Sequence, residues 1–146
     1  MKKFLKALIF GILGFFGYKA IRSLFEVEQE YRRKINSDHA ITGYLDDELL
    51  QRIRENLEIL IDKEKPRLIY VGEVDNPELK AHRFRRFDIA YILYRTTSLD
   101  FAKQMVDEIE KMLKEMGLEV FRAGFSHRKD AKHHHVYVGF VKERED

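Results

Sequence analysis

Phe87-Asp88-Ile89-Ala90-Tyr91-Ile92-Leu93-Tyr94-Arg95-Thr96 is the stretch from which the fold is read. It is nearly all apolar at its centre and rich in aromatic and β-branched residues. That pattern predicts a strand covered on both faces, in the middle of a sheet. Towards the C-terminus, Ser98 caps a helix whose Phe101, Met105, Ile109, Met112 and Leu113 share one face, and Gly117 ends it. Residues 118–125 and 134–142 read as two further strands, the last carrying Val136, Tyr137, Val138 and Phe140. Towards the N-terminus, Asp75-Asn76-Pro77 opens a long turn behind a strand at 67–74. Before that strand, Asp46 or Asp47 caps a helix with Leu49, Ile53, Leu57, Leu60 and Ile61 on one face, and Pro66 stops it.

The order is thus helix, strand, strand, twice over. The expected class is α+β: a two-layer α/β sandwich over residues 45–146. Its order is that of the split-βαβ unit with the first strand moved to the C-terminus, a permuted ferredoxin-like, four-stranded antiparallel sheet. The strands at 87–96 and 134–142 take the centre. The strands bearing Glu73, Glu119 and Arg122 take the edges, where charge prevents pairing with other chains.

This topology sends both hairpin turns to one end of the sheet. The first turn holds Lys80, His82, Arg83, Arg85 and Arg86 among Phe84 and Phe87; the second holds His127, Arg128, Lys129, Lys132, His133 and His134. Lys80, Arg83, Arg85, Arg86, Arg128, Lys129 and Lys132 form the expected polyanion-binding set, for anionic lipid headgroups, nucleic acid or a protein partner. The plain alternative is a solvated loop end with the phenylalanines turned into the core. His133 and His135 have the spacing with which two imidazoles on one strand face grip a metal. A third ligand could come from His127, Asp130 or His82 across the loops, and no cofactor is implied.

Upstream, residues 4–25 read FLKALIFGILGFFGYKAIRSLF. As a helix they would span about 33 Å, enough for a hydrocarbon core of about 30 Å, with Lys6 and Lys19 reaching the headgroups. The expectation is a single-pass membrane anchor over 1–25, followed by an amphipathic stalk and linker over 26–44. Gly11, Gly14 and Gly17 offer a face for a second copy. Lys and Arg flank both ends, and their balance leans to a cytoplasmic C-terminal domain.

Residues 1–44 hold eight Lys+Arg against four Asp+Glu, and the remainder 19 against 21. The domain is therefore no general polyanion binder, and any such role is local. The chain has no cysteine, which excludes disulfides, thiolate metal sites and thiol nucleophiles. Its charged content of 36% leans towards a thermophile.

Tyr70-Val71-Gly72, the run from Asp75 to His82, the run from Ile92 to Ser98 with Phe101-Ala102 beyond it, and His135-Val136-Tyr137-Val138 resemble compact domains of the GIY-YIG nuclease superfamily. The resemblance implies metal-dependent phosphodiester cleavage with Tyr70, His82 and Arg83 at the site. Lys80 or Arg83 would serve for the family's arginine. Val106 stands where the family has its metal-binding glutamate, so what is implied is a divergent or degenerate nuclease. The first expectation is therefore a membrane-anchored, non-enzymatic interaction domain. The alternative is a nuclease of that kind.

Overall fold

The computed structural model describes residue 26, residues 29–124 and residues 130–142. Five strands and two long helices account for most of them: β1 (Ile35–Asn36), α1 (Asp47–Glu64), β2 (Pro66–Val74), β3 (Ile89–Thr96), α2 (Leu99–Glu115), β4 (Val120–Arg122) and β5 (His134–Lys142). Residues 29–33 are also helical.

The helices begin and end where local chemistry requires. Asp46 accepts a hydrogen bond from the N–H of Leu49 at 2.8 Å, capping α1. Lys65 closes it in the left-handed conformation, φ 48°, and its N–H returns to Ile61. Ser98 caps α2 through the N–H of Phe101, and Gly117 follows it at φ 80°. Each cap satisfies helix-end groups that would otherwise lack partners. Leu49, Ile53, Leu57 and Leu60 of α1 are buried, as are Met105, Val106, Ile109 and Leu113 of α2. They pack with Ile69, Val71, Val136, Val138 and Phe140 on one face of the sheet.

The sheet corrects the expected topology. It is mixed and five-stranded, in the order β1-β3-β5-β2-β4. β5 lies antiparallel between β2 and β3, β4 runs parallel along β2, and β1 runs parallel along β3. The two hairpins of a permuted ferredoxin-like sheet are absent: β2 does not pair with β3, nor β4 with β5. The expected centre was the pair 87–96 and 134–142; the observed centre is β5 flanked by β3 and β2.

The reason lies in the connection from Val74 to Ile89. It does not turn back beside β2 but crosses the sheet face opposite the helices, with a short 3-10 helix, Ala81–Phe84. Phe84 and Phe87 are buried there with Val74, Ala90, Ile92 and Tyr137 in a second core. Gly139 on β5 makes this possible. A Cβ at Gly139 would stand 2.4 Å from the Phe87 ring. Both faces of the central strands are therefore covered, which is why β2, β3 and β5 are so continuously apolar.

The expected stalk and linker are corrected as well. After the short helix, Ala90 N–H donates to Lys34 carbonyl, and Ile35 and Asn36 pair with β3. Ile41 then bridges the strand again, donating to Leu93 and accepting from Arg95. Ile35, expected on the amphipathic stalk, packs against the domain's own second core. No helix among the described residues is long and apolar enough to cross a membrane. The expected span at residues 4–25 lies outside them. The single-pass placement, its cytoplasmic lean and the headgroup role built on it therefore have no support in the structure.

Candidate anion-binding crevice

β2 and β3 run in the same direction on either side of β5, so their carboxyl ends flank its first residues. In open sheets, ligands sit at such a parting of parallel strands. Here the sheet end, the start of the crossover and the segment at β1 enclose a crevice of about 730 Å³. Small-molecule sites are roughly 300–1,000 Å³.

Its floor is a cross-strand row. Arg95 on β3 is the register partner of His135 on β5, and His135 is in turn the partner of Val74 on β2. The register of β3 shifts between Ile92 and Tyr94. Tyr94 thereby joins the helix-side core, while Arg95 lines the crevice on the other face. Such an irregularity re-aims a side chain beside a site.

The charges around the row divide into paired and unpaired ones. Lys80 is held by Asp75, Nζ to Oδ1 at 2.5 Å. Burial would raise the Asp75 carboxyl, but the Lys80 ammonium and the Asn76 N–H outweigh it and leave the group below the usual range. Arg32 donates from Nε to the Glu78 carbonyl at the rim. Arg95 and Lys132 have no carboxylate partner among the described residues. The Nε of Arg95 is also shut away from solvent without an acceptor.

His135 is 9% exposed, and its Nδ1 lies 3.3 Å from the Val74 carbonyl. Burial first, and then the neighbouring Arg95 charge, push its pKa below the ordinary value. The imidazole is neutral at pH 7. The ring is hydrogen-bonded to the Val74 carbonyl and to the Asp75 backbone, and it can take up a proton when an anion arrives.

The expected polyanion set does not meet at one place. Lys80 and Lys132 line the crevice. Arg83, in the 3-10 helix, and Arg85 and Arg86, just after it, line a separate cleft of about 480 Å³ with Tyr137 and Phe87. Arg128 and Lys129 lie outside the described residues. The Arg86 guanidinium sits 5.5 Å from the centre of the Tyr70 ring, which also stacks on Phe87 and Phe121.

Tyr70, His82 and Arg83, the catalytic set implied by the nuclease resemblance, lie at or near that cleft. Among the described residues, however, no three His, Asp or Glu side chains stand close enough to hold a metal ion. A metal-dependent nuclease reading therefore finds no group among the described residues to hold the cation that stabilises the transition state. His133 and His135 both line the crevice, and they too lack a third ligand among the described residues.

Two features escaped the sequence reading. Arg95 passed as the polar end of an apolar strand; its only signal was a cation inside a run otherwise free of charge after Asp88. Glu73 was read as an edge charge, yet it is wholly buried, with its Oε1 2.8 Å from Nδ1 of the equally buried His134. No family model matches the chain, and neither a curated protein nor a solved structure does.

Proposed function

We propose that this domain binds a small anion, a phosphate or carboxylate group, in the crevice at the carboxyl ends of β2 and β3. One observation carries the reading: Arg95 is half-buried, with no carboxylate partner among the described residues and with a buried donor that has no acceptor among them. An unsatisfied buried donor costs about 1–3 kcal/mol, more when charged. A bound anion would remove that cost and gain a bidentate contact with the guanidinium fork. Lys132 adds an uncompensated charge at the rim, and Lys80, fixed by Asp75, adds an oriented ammonium. His135 supplies a group that can adjust its protonation to the ligand.

Calorimetric titration of the full chain with inorganic phosphate over a salt series tests this. Binding should weaken with salt, strengthen as pH falls through the His135 titration, and disappear in Arg95→Gln while the melting temperature holds. Unchanged affinity in a folded Arg95→Gln protein would refute the reading.

A further inference from the structure

The crevice does not end at Arg95. A second cavity, of about 380 Å³, shares Arg95 and His133 with it. The two cavities adjoin at this pair. Their linings differ sharply. The first is ringed by charges. The second is walled by Thr42, Thr96 and Thr97 and by the rings of Tyr44 and Phe101, and Arg95 and His133 are its only residues able to carry charge.

The second wall is built, not incidental. Tyr94 is fully buried, and its hydroxyl donates to the Gly43 carbonyl at 2.6 Å. Gly43 sits at φ 138°, and a Cβ on it would press on the Leu49 side chain at 3.1 Å. The 42–44 segment is therefore held at a fixed height above the start of α2. That support leaves Tyr44 80% exposed, its ring edge-on to Phe101 at 6.5 Å between centroids. A large aromatic side chain so exposed, with its backbone tied down beside an unpaired guanidinium, is poised for a planar apolar group.

We infer that the ligand is an anion with an aromatic tail: its phosphate or carboxylate on Arg95 in the charged crevice, its ring against Tyr44 and Phe101 in the adjoining cavity. The inference rests on the anion-binding reading and adds the class of ligand. Arg95 lines both cavities, so a head group on it has the second cavity within reach of its substituent. An inorganic anion would fill the first half alone.

The test compares inorganic phosphate with phenyl phosphate by calorimetry on the full chain and on two variants. Phenyl phosphate should bind at least about tenfold more tightly, the order that burying one ring contributes. Tyr44→Ala, at an exposed position, should erase that preference and leave inorganic phosphate unchanged. Arg95→Gln should abolish both. Equal affinity for the two ligands, or a preference that survives Tyr44→Ala, would overturn the aromatic tail while leaving the anion site standing. Absence of binding by either ligand would overturn both, with circular dichroism confirming that each protein is folded.

Discussion

Nδ1 of His134 lies 2.8 Å from Oε1 of Glu73, and neither side chain is exposed to solvent. The two reach each other from β5 and β2, two residues from Val136 and Val71 in the helix-side core. Nε2 of His134 is buried there with no partner. Removing one member takes a hydrogen-bonded contact from a fully buried side chain. Glu73→Leu and His134→Leu should each destabilise the domain by about 3–5 kcal/mol. The double variant should cost less than their sum, because the shared contact is lost only once. Urea denaturation of the four proteins gives the coupling; additive losses would mean the contact is not a functioning pair.

Phe87 and Gly139 make the second prediction. The ring lies where a Cβ would stand, so Gly139→Ala must displace the crossover from the sheet. A loss of about 1–3 kcal/mol is expected from overpacking. Phe87→Ala alone should cost about 3–5 kcal/mol. Adding Gly139→Ala to it should cost little more, since the clash is gone. Thermal melts of the three variants check this.

Acid should destabilise the fold in two stages. His135 has a pKa lowered from about 6.5 by burial and by Arg95. Above 6.5 it is neutral in both states and contributes no pH dependence. Below 6.5 the unfolded chain takes up a proton that the folded one resists, so stability falls with pH. Glu64, Asp75, Glu110 and Glu115 follow with lowered values. Burial raises the first two, but Lys142 and Tyr91 outweigh it at Glu64, and Lys80 does so at Asp75; hydrogen bonds from Arg122 and Arg54 lead at Glu110 and Glu115. Their contributions are full above about 4.5 and are lost as pH falls towards the folded values. His135→Asn should remove the upper part of the decline and keep the lower, as read from denaturation midpoints across pH.

Alkali should reveal two late-titrating tyrosines. Tyr91 is pushed up to about 12 by burial and by its hydrogen bond to the Glu64 carboxylate, 2.8 Å away. Tyr137 is pushed up to about 12 by burial, against the opposing charges of Arg83 and Arg86. Ultraviolet titration of phenolate should show a late phase near 12, lost in part in Tyr91→Phe. The phenol form is favoured by folding, so this stability is complete below about 10 and is lost as pH rises towards 12.

The arginine cleft supplies a control. Arg83, Arg85 and Arg86, on the crossover, line a different cavity from the crevice. Replacing all three by Ala should leave phosphate affinity within about twofold, since they do not line the crevice and exposed charges are screened by salt. A large loss would move the anion site to the cleft.

Local signals carried far in this chain. Asp46 and Ser98 mark where the helices start, Lys65-Pro66 and Gly117 mark where they end, and the spacing of Leu49, Ile53 and Leu57, and of Met105, Ile109 and Met112, picks out the buried faces. The runs at β2, β3 and β5 are apolar enough to announce strands. These features depend on neighbours a few residues away, so the residues themselves determine them. Which strands pair does not. It depends on the route of the connection from Val74 to Ile89, whose Phe84 and Phe87 gain more by covering the sheet than a hairpin turn would bury. That route places β5 between β2 and β3, moves Glu73 from a supposed edge into contact with His134, and splits the basic residues between two cavities. It also sets Arg95 beside His135. These residues are neighbours only across strands, and no pattern along the chain encodes a distance of that kind.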